Sequence, residues 1–445
     1  MSSEAAVRAA IPADVAGLLR SLRAAGFAAY VVGGAVRDVI AGRPPVDWDL
    51  ATDATPDALR AHFPDARYEN RFGTVGIPTS GGAVREVTTF RVDGPSSDAR
   101  RPDAIHFIGD LRGDLDRRDF TINAMAFGLG RGEGAEASDP VANGALVDPH
   151  GGAADLVANI LRAVGDPDAR FREDALRMLR AARFAARFNL TIDPLTAAAI
   201  RRDASLAASL SGERVGAEIE GILAAAHPAV GVTLLRELGL LAVIAPALHA
   251  AWSDEVAARI EAIGAPGSAD APDPLGRLWA LLSPISSDDD AAEILAAWRR
   301  PRATIAAVRA LRRIDAMLAA ALGGGDGEAL ADQPAATDLR INAAEESGDP
   351  HDAARQMRRR IAAKVKPNGG AATLLAALEA ADAAGAPALP ADLAIGGDEL
   401  LRELGGAPGP WLQPLLEALL REAARGAVQN SPAALIARAR ALNRA

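Results

Sequence analysis

The chain has 445 residues, 49% of them hydrophobic and 24% charged, with a net charge of −10; this balance excludes whole-chain disorder and leaves room for about three domains of roughly 150 residues. Cysteine is absent, which excludes disulfides, thiolate zinc sites and a cysteine nucleophile. The histidines (His62, His106, His150, His227, His249, His351) are scattered without metal-ligand spacing, so a bound metal should be a hard ion on carboxylates, magnesium first.

The first thirty residues lack the basic start, apolar core and cleavage site of a signal peptide. The longest uncharged run, 238–253, contains Pro246 and falls short of the roughly 20 apolar residues that span a bilayer. The expectation is a soluble, cytoplasmic protein. Net acidity argues against a broad nucleic-acid surface but not against a local phosphate groove. Segment 162–187 holds seven arginines against four acids.

Up to Val147, short β-type runs alternate with turns: 28–32, 47–51, 74–78, 83–91 and 105–108. Ser80-Gly81-Gly82 between two of them is a hairpin signal. Thr55-Pro56-Asp57 predicts a capped helix through Phe63. From Asp155 onward nearly everything reads as helix, with breaks near 222–230, 264–275 and 323–338. The expectation is an α+β head with a small mixed or antiparallel sheet (1–150), followed by an all-α neck (151–222), body (223–330) and tail (331–445).

Three constellations carry chemistry. In the first, a β run meets Gly33-Gly34 and a short helix with Arg37-Asp38; glycine lets backbone pass close to phosphates, although a plain turn reads the same way. Asp47 and Asp49 follow. At i and i+2 of a strand, both carboxylates project from one face and repel unless a cation sits between them. That suits magnesium on a triphosphate; a solvated acidic edge is the alternative. Glu86, in another predicted strand, is a candidate third carboxylate or proton acceptor, or a surface glutamate.

The second constellation is Arg117-Arg118-Asp119-Phe120-Thr121-Ile122-Asn123-Ala124, two arginines beside a predicted helix start. The third is a predicted continuous helix from Arg172 to Arg183. In it Asp174 and Arg177 stand one turn apart, and Arg180 and Arg183 extend an arginine stripe. An ordinary Asp174–Arg177 ion pair on a wet helix face is the plainer reading.

In order and spacing, these motifs together resemble the class II tRNA nucleotidyltransferases, the CCA-adding enzymes and their bacterial poly(A) polymerase relatives. The residues carrying the resemblance are Gly33, Gly34, Arg37 and Asp38; Asp47 and Asp49; Arg117 to Ala124; and Glu173, Asp174, Arg177, Arg180, Arg183 and Phe184. Val147-Asp148-Pro149-His150-Gly151-Gly152 is similar to the family's hinge, and Gly396-Gly397-Asp398-Glu399 and Pro408-Gly409-Pro410-Trp411 echo its C-terminal domain.

The resemblance implies an elongated protein with a nucleotidyltransferase-fold head. It implies template-independent addition of CCA to the 3′ end of tRNA from CTP and ATP, releasing pyrophosphate. Asp47 and Asp49 would hold two magnesium ions, with Glu86 beside them. Gly33, Gly34, Arg37, Arg118, Asp119 and Asn123 would bind the nucleotide's sugar and phosphates. Asp174 and Arg177 would select the base, assisted by Arg180 and Arg183. A loop from Arg91 to Asp103 lies where the family keeps an element needed for the last adenosine, and a basic segment, 355–366, is a candidate contact for the tRNA acceptor and elbow. His351-Asp352 lacks the companions of a phosphohydrolase site. The alternatives are CC-only or A-only addition, then poly(A) synthesis, which the acidic charge disfavours, then a non-catalytic RNA-binding module, which would need neither Asp47 nor Asp49.

Overall fold

The computed structural model describes residues 2–70, 73–79, 81–93, 105–133, 139–263, 273–323, 341–342, 380, 385–405 and 407–443. They fall into two compact units, Met1–Ala250 and Ala251–Ala445. Most of the loop 91–103, the His351-Asp352 pair, the basic segment 355–366 and most of the predicted break at 323–338 lie outside the described residues.

The first unit begins with α1 (Ser3–Ala10), α2 (Ala13–Ala24), β1 (Ala29–Val32), α3 (Gly34–Ile40), β2 (Leu50–Thr52) and α4 (Pro56–His62). Next come β3 (Arg67–Asn70), β4 (Thr74–Pro78), β5 (Val84–Thr89), β6 (Arg91–Asp93), β7 (Ile105–Phe107), α5 (Leu111–Asp116), β8 (Ala126–Leu129) and β9 (Ala145–Val147). Seven strands form one sheet in the order β3-β4-β5-β2-β1-β8-β9. Only β2 and β5 pair in parallel. Tyr30, Val32, Ala51 and Phe90 form a core with Leu111 and Leu115 of α5, while Val31, Leu50 and Val87 are buried on the opposite face. The mixed small sheet is the expected one.

Two strand boundaries differ from expectation for local reasons. The strand expected over 47–51 starts at Leu50, because the Asp47 carboxylate takes its neighbour's N–H, Trp48, at 2.8 Å, and such side-chain bonds compete with a ladder. The run expected over 83–91 breaks at Phe90. Its N–H bonds to Thr52 O at 2.7 Å, its ring is buried, and β6 then pairs with β7 in a separate ribbon.

The unit continues with α6 (Gly152–Val157), β10 (Ile160–Leu161), α7 (Pro167–Glu173), α8 (Leu176–Phe188), β11 (Thr191–Ile192), α9 (Pro194–Asp203), α10 (Gly212–Leu223), α11 (Pro228–Glu237), α12 (Leu240–Ile244) and α13 (Pro246–Ala250). The expected all-helical neck thus contains a short parallel pair, β10–β11. Its alanines let α8 pack closely on α10 and α11: a Cβ at Gly231 would stand 2.9 Å from that of Ala186. This packing buries Val232 and Leu235 and carries the unit to Ala250, past the expected boundary at 222/223. Arg43 donates to Arg187 O (2.7 Å) and Arg187 to Asp38 Oδ2 (3.0 Å), so α8 is tied to α3.

The second unit contains α14 (Glu255–Ala262), α15 (Pro274–Leu282), α16 (Asp288–Ala297), α17 (Arg302–Gly323), α18 (Gly397–Leu404), α19 (Leu412–Ala424) and α20 (Pro432–Leu442). In α19, Leu415, Leu416, Leu419, Leu420 and Ala423 make a helical-period stripe that joins Leu400 and Leu435 in one core. Among the described residues no helix is long and apolar enough to cross a membrane.

Candidate active site

β1 ends at Gly33, whose φ of +63° and ψ of −116° are open to glycine and strained for other residues. Its N–H donates to Met125 O at 2.9 Å, and α3 begins at the next residue. A Cβ at Gly33 would stand 2.5 Å from Arg118 Nη1. The Gly33→Ala variant is therefore expected to push Arg118 aside and weaken triphosphate binding roughly tenfold, near the cost of one charged hydrogen bond. Titration with CTP checks this; unchanged affinity would refute the close fit.

Arg118 follows α5. Nη1 donates to Asn123 O (3.1 Å) and Nη2 to Asp114 Oδ2 (3.2 Å), while Nε is buried without a partner. Asp114 also accepts from Arg117 at 2.8 and 3.0 Å. Burial pushes its carboxyl up, but the two guanidiniums more than offset this and hold it below the usual range. An orphaned donor beside a glycine backbone is what an anionic ligand would fill.

A buried network lies behind. Arg37 bonds Asp38 (2.8 Å) and Asn123 Oδ1 (2.6 Å) and stacks on Phe184 and Phe188 at 5.2 and 4.7 Å. Burial lowers its pKa, with Asp38 acting the other way. Asn123 donates to Asp119 (2.9 Å), which also accepts from Phe120 N (2.8 Å) and from Arg180 Nε (2.7 Å) and Nη2 (2.6 Å). Burial would raise the Asp119 pKa; Arg180, Asn123 and Arg177 overcome it and bring it down to about 2. Asp119, expected at the nucleotide, lines the cleft, and its oxygens accept from Arg180, Asn123 and Phe120 N.

The predicted continuous helix over 172–183 is broken. α7 ends at Glu173, and Asp174 is extended (φ −152°, ψ 105°). Its Oδ1 accepts from Leu176 N (3.0 Å), an Asx-type bond that favours a turn over helix. The Asp174–Arg177 ion pair that the spacing offered as the plainer reading gives way to two others. Arg177 pairs with Glu173 (2.7 Å) and donates to Arg117 O (3.0 Å), while Asp174 Oδ2 receives Arg214 of α10 at 2.7 Å. Arg183 is drawn away from the cleft to Glu218 (2.6 Å).

These groups line a cleft of about 460 Å³, bounded by Gly33, Gly34, Arg37, Asp49, Arg117, Arg118, Asp119, Asn123, Asp174, Leu176, Arg177, Arg180, Phe184 and Arg214. Asp49 lies at its edge, where desolvation and the Asp47 charge raise its pKa, Arg118 opposing. Asp47 is largely exposed and stands 3.6 Å from Arg85. One residue before the Leu50–Val87 pair, Glu86 shares a sheet face with Asp49 by the period of two. Among the described residues no three His, Asp or Glu gather as a metal cluster. Arg214 escaped the sequence reading; its pairing spans 40 residues, beyond the reach of local periodicity. A glutamate four residues on, Glu218, facing an arginine-rich helix was the available signal.

Family models match for the poly A polymerase head domain (29–162), the RNA- and SrmB-binding site of polymerase A (189–251) and tRNA nucleotidyltransferase domain 2 (373–439). The chain is 35% identical over 420 residues to the CCA-adding enzyme of Geobacillus thermodenitrificans (strain NG80-2), covering 93% of each. It is 32% identical over 439 residues to that of Geobacillus stearothermophilus, covering 94% of each. Among solved structures it is similar to the Bacillus stearothermophilus CCA-adding enzyme in complex with CTP, with a TM-score of 0.70 and 29% identity over 97% of each chain. The Thermotoga maritima CCA-adding enzyme complexed with tRNA shares the fold, with a TM-score of 0.66 and 19% identity over 96% of this chain and 94% of that one.

Proposed function

Because the chain belongs to the family of CCA-adding enzymes, we propose that it adds C, C and A to the 3′ end of tRNA from CTP and ATP, releasing pyrophosphate. The observation that carries this reading is a single cleft lined by Asp49, by Gly33 beside Arg118, whose Nε has no partner, and by Asp174 held by Arg214.

Asp47 and Asp49 fit a divalent metal by their chemistry: they are hard oxygen donors two residues apart, whose mutual repulsion a cation between them would relieve. We assign them two magnesium ions, which when bound activate the terminal hydroxyl and steady the triphosphate. Gly33 and Gly34 bring backbone close to the phosphates, and Arg118 offers its unpaired Nε. Arg37 and Asn123 act from behind: their polar groups are engaged with each other, Asp38 and Asp119, so they set the position of the cleft wall.

Base choice falls to Asp174. Arg214 and Leu176 N each occupy one of its oxygens, which leaves a lone pair on each to accept from an amine. Cytosine and adenine carry an exocyclic amine at that edge, while uracil and guanine present a carbonyl. An acceptor facing an acceptor costs about 1–3 kcal/mol. Accordingly, Asp174→Ala should lower the CTP-over-UTP preference in kcat/KM roughly tenfold or more, with triphosphate affinity nearly unchanged. An unaltered preference would remove Asp174 from base selection.

The function itself is tested with magnesium and three tRNAs: lacking CCA, ending in C, and ending in CC. Each receives CTP, ATP or both, with products resolved to one nucleotide. Growth that stops at CCA is the expected result. Stopping at CC, or adding A only to the CC-ended tRNA, would make it half of a split pair. Long adenosine tails would make it a poly(A) polymerase, and no growth would leave an RNA-binding module.

A further inference from the structure

Arg85 is the cation facing the exposed catalytic carboxylate, and it is not free to leave. It lies on β5, on the same face as buried Val87 and Thr89. Its Nε donates to Asp14 Oδ2 of α2 at 2.9 Å. Its Nη1 stands 3.6 Å from Asp47 Oδ1, and the Arg85 side chain is 18% exposed against 66% for Asp47. At 3.6 Å the contact with Asp47 is an ion pair and not a hydrogen bond. One guanidinium therefore serves two carboxylates: it is anchored by the first and lends charge to the second.

We propose that Arg85, tethered by Asp14, is a built-in competitor for Asp47 that keeps the carboxylate pair weak toward free divalent metal, so that metal loads together with the nucleoside triphosphate. This rests on the reading of Asp47 and Asp49 as metal ligands. The charge balance supports it. A bare divalent ion approaching the pair meets the repulsion of a fixed guanidinium a few ångströms away. A metal bound to a triphosphate arrives with a net negative charge, which the same guanidinium attracts. Arg85 is thus a positioning residue, acting through the charge available at Asp47.

The test measures Mn²⁺ binding to the full chain without nucleotide, reading free Mn²⁺ by electron paramagnetic resonance at low salt. Arg85→Gln keeps the stem and a donor for Asp14 but removes the charge; it should bind Mn²⁺ about five- to tenfold more tightly, the scale of one unit charge a few ångströms away near water. The gain should shrink as salt rises. Arg85→Lys keeps the charge and should stay within about twofold of the parent. Asp14→Asn keeps an acceptor for Arg85 but removes the carboxylate charge that shares its guanidinium, leaving the full positive charge to Asp47, and should weaken Mn²⁺ binding. Opposite signs for the Arg85→Gln and Asp14→Asn variants are not produced by a merely structural role. Unchanged or weaker binding by Arg85→Gln overturns the proposal. Should that variant not fold, unchanged or tighter binding by Asp14→Asn does so. Asp47→Asn serves as the control: if it binds Mn²⁺ like the parent, the metal-ligand reading fails, independently of Arg85.

Discussion

Replacing Asp49 by asparagine is expected to abolish nucleotide transfer while leaving the fold as stable as before, or slightly more so. The loss should be on the order of 10³-fold or more in kcat/KM, because a neutral amide holds a divalent metal poorly and the transferred phosphoryl group loses its main charge stabilisation. Stability moves the other way for a definite reason. The fold raises the Asp49 pKa, through desolvation and the neighbouring Asp47 charge, so the ionised form is disfavoured on folding. For a carboxyl with a raised folded pKa, stability falls as pH climbs through the titration range, and near neutrality the full penalty is present. Asparagine removes that penalty and keeps the shape. Single-turnover incorporation into tRNA lacking CCA, beside thermal unfolding, checks both halves. Activity within tenfold of the parent, or a clear drop in Tm, would contradict the assignment.

Asp119→Ala should act in the opposite sense, through stability first. The Asp119 carboxylate is the shared counter-ion and acceptor for Arg180, Asn123 and the Phe120 N–H. Deleting it strands Arg180, and breaking a buried pair costs about 3–5 kcal/mol; Arg180 is 34% exposed, which places the expected loss near the lower end. Acid sensitivity should change with it. Although burial pushes the other way, Arg180 and Asn123 hold the Asp119 carboxyl down to about 2 in the fold, below its ordinary 3.8. A depressed carboxyl contributes stability that is complete above its unfolded pKa and lost as pH falls through the folded one. The window is therefore about pH 4 down to about pH 2, and the contribution is about 2 kcal/mol. Urea unfolding at neutral pH and at pH 3 measures both effects: the parent should lose stability across that window more steeply than the variant. Equal slopes would show that the carboxylate is not held down by its partners.

Much of the site was legible because its chemistry is written in short segments. Gly33-Gly34, the Asp47/Asp49 pair and Arg117 to Asn123 each lie within a few residues, and Gly33, Gly34, Asp49, Arg117, Arg118, Asp119 and Asn123 line the cleft. The pairings across the cleft were not legible. Spacing alone put Asp174 beside Arg177, but helical periodicity assumes a helix. An aspartate that bonds its own backbone two residues on ends one, and this frees Asp174 for Arg214 and leaves Arg177 to Glu173. The same limit hid the partner of Arg183, because Glu218 lies 35 residues away. In the sheet, β8 escaped notice because Ala126-Phe127-Gly128-Leu129 is short and carries a glycine. That glycine is required by packing, since a Cβ at Gly128 would fall 2.0 Å from Ala29 O.

The tie between α3 and α8 bears on the order in which this protein can be made. Asp38 receives Arg187 from 149 residues downstream, and Arg43 reaches the Arg187 carbonyl across 144. Chain closure over such separations is slow compared with local helix formation. During synthesis from the N-terminus, the head emerges with Asp38 and Asp119 in place before α8 brings Arg187 and Arg180 to them. Its nucleotide cleft is then a half-built wall with acidic groups awaiting their arginines. The wall that carries Asp174 is completed only after α10 has delivered Arg214, so a nascent chain holds an unfinished cleft through all of its first two hundred residues.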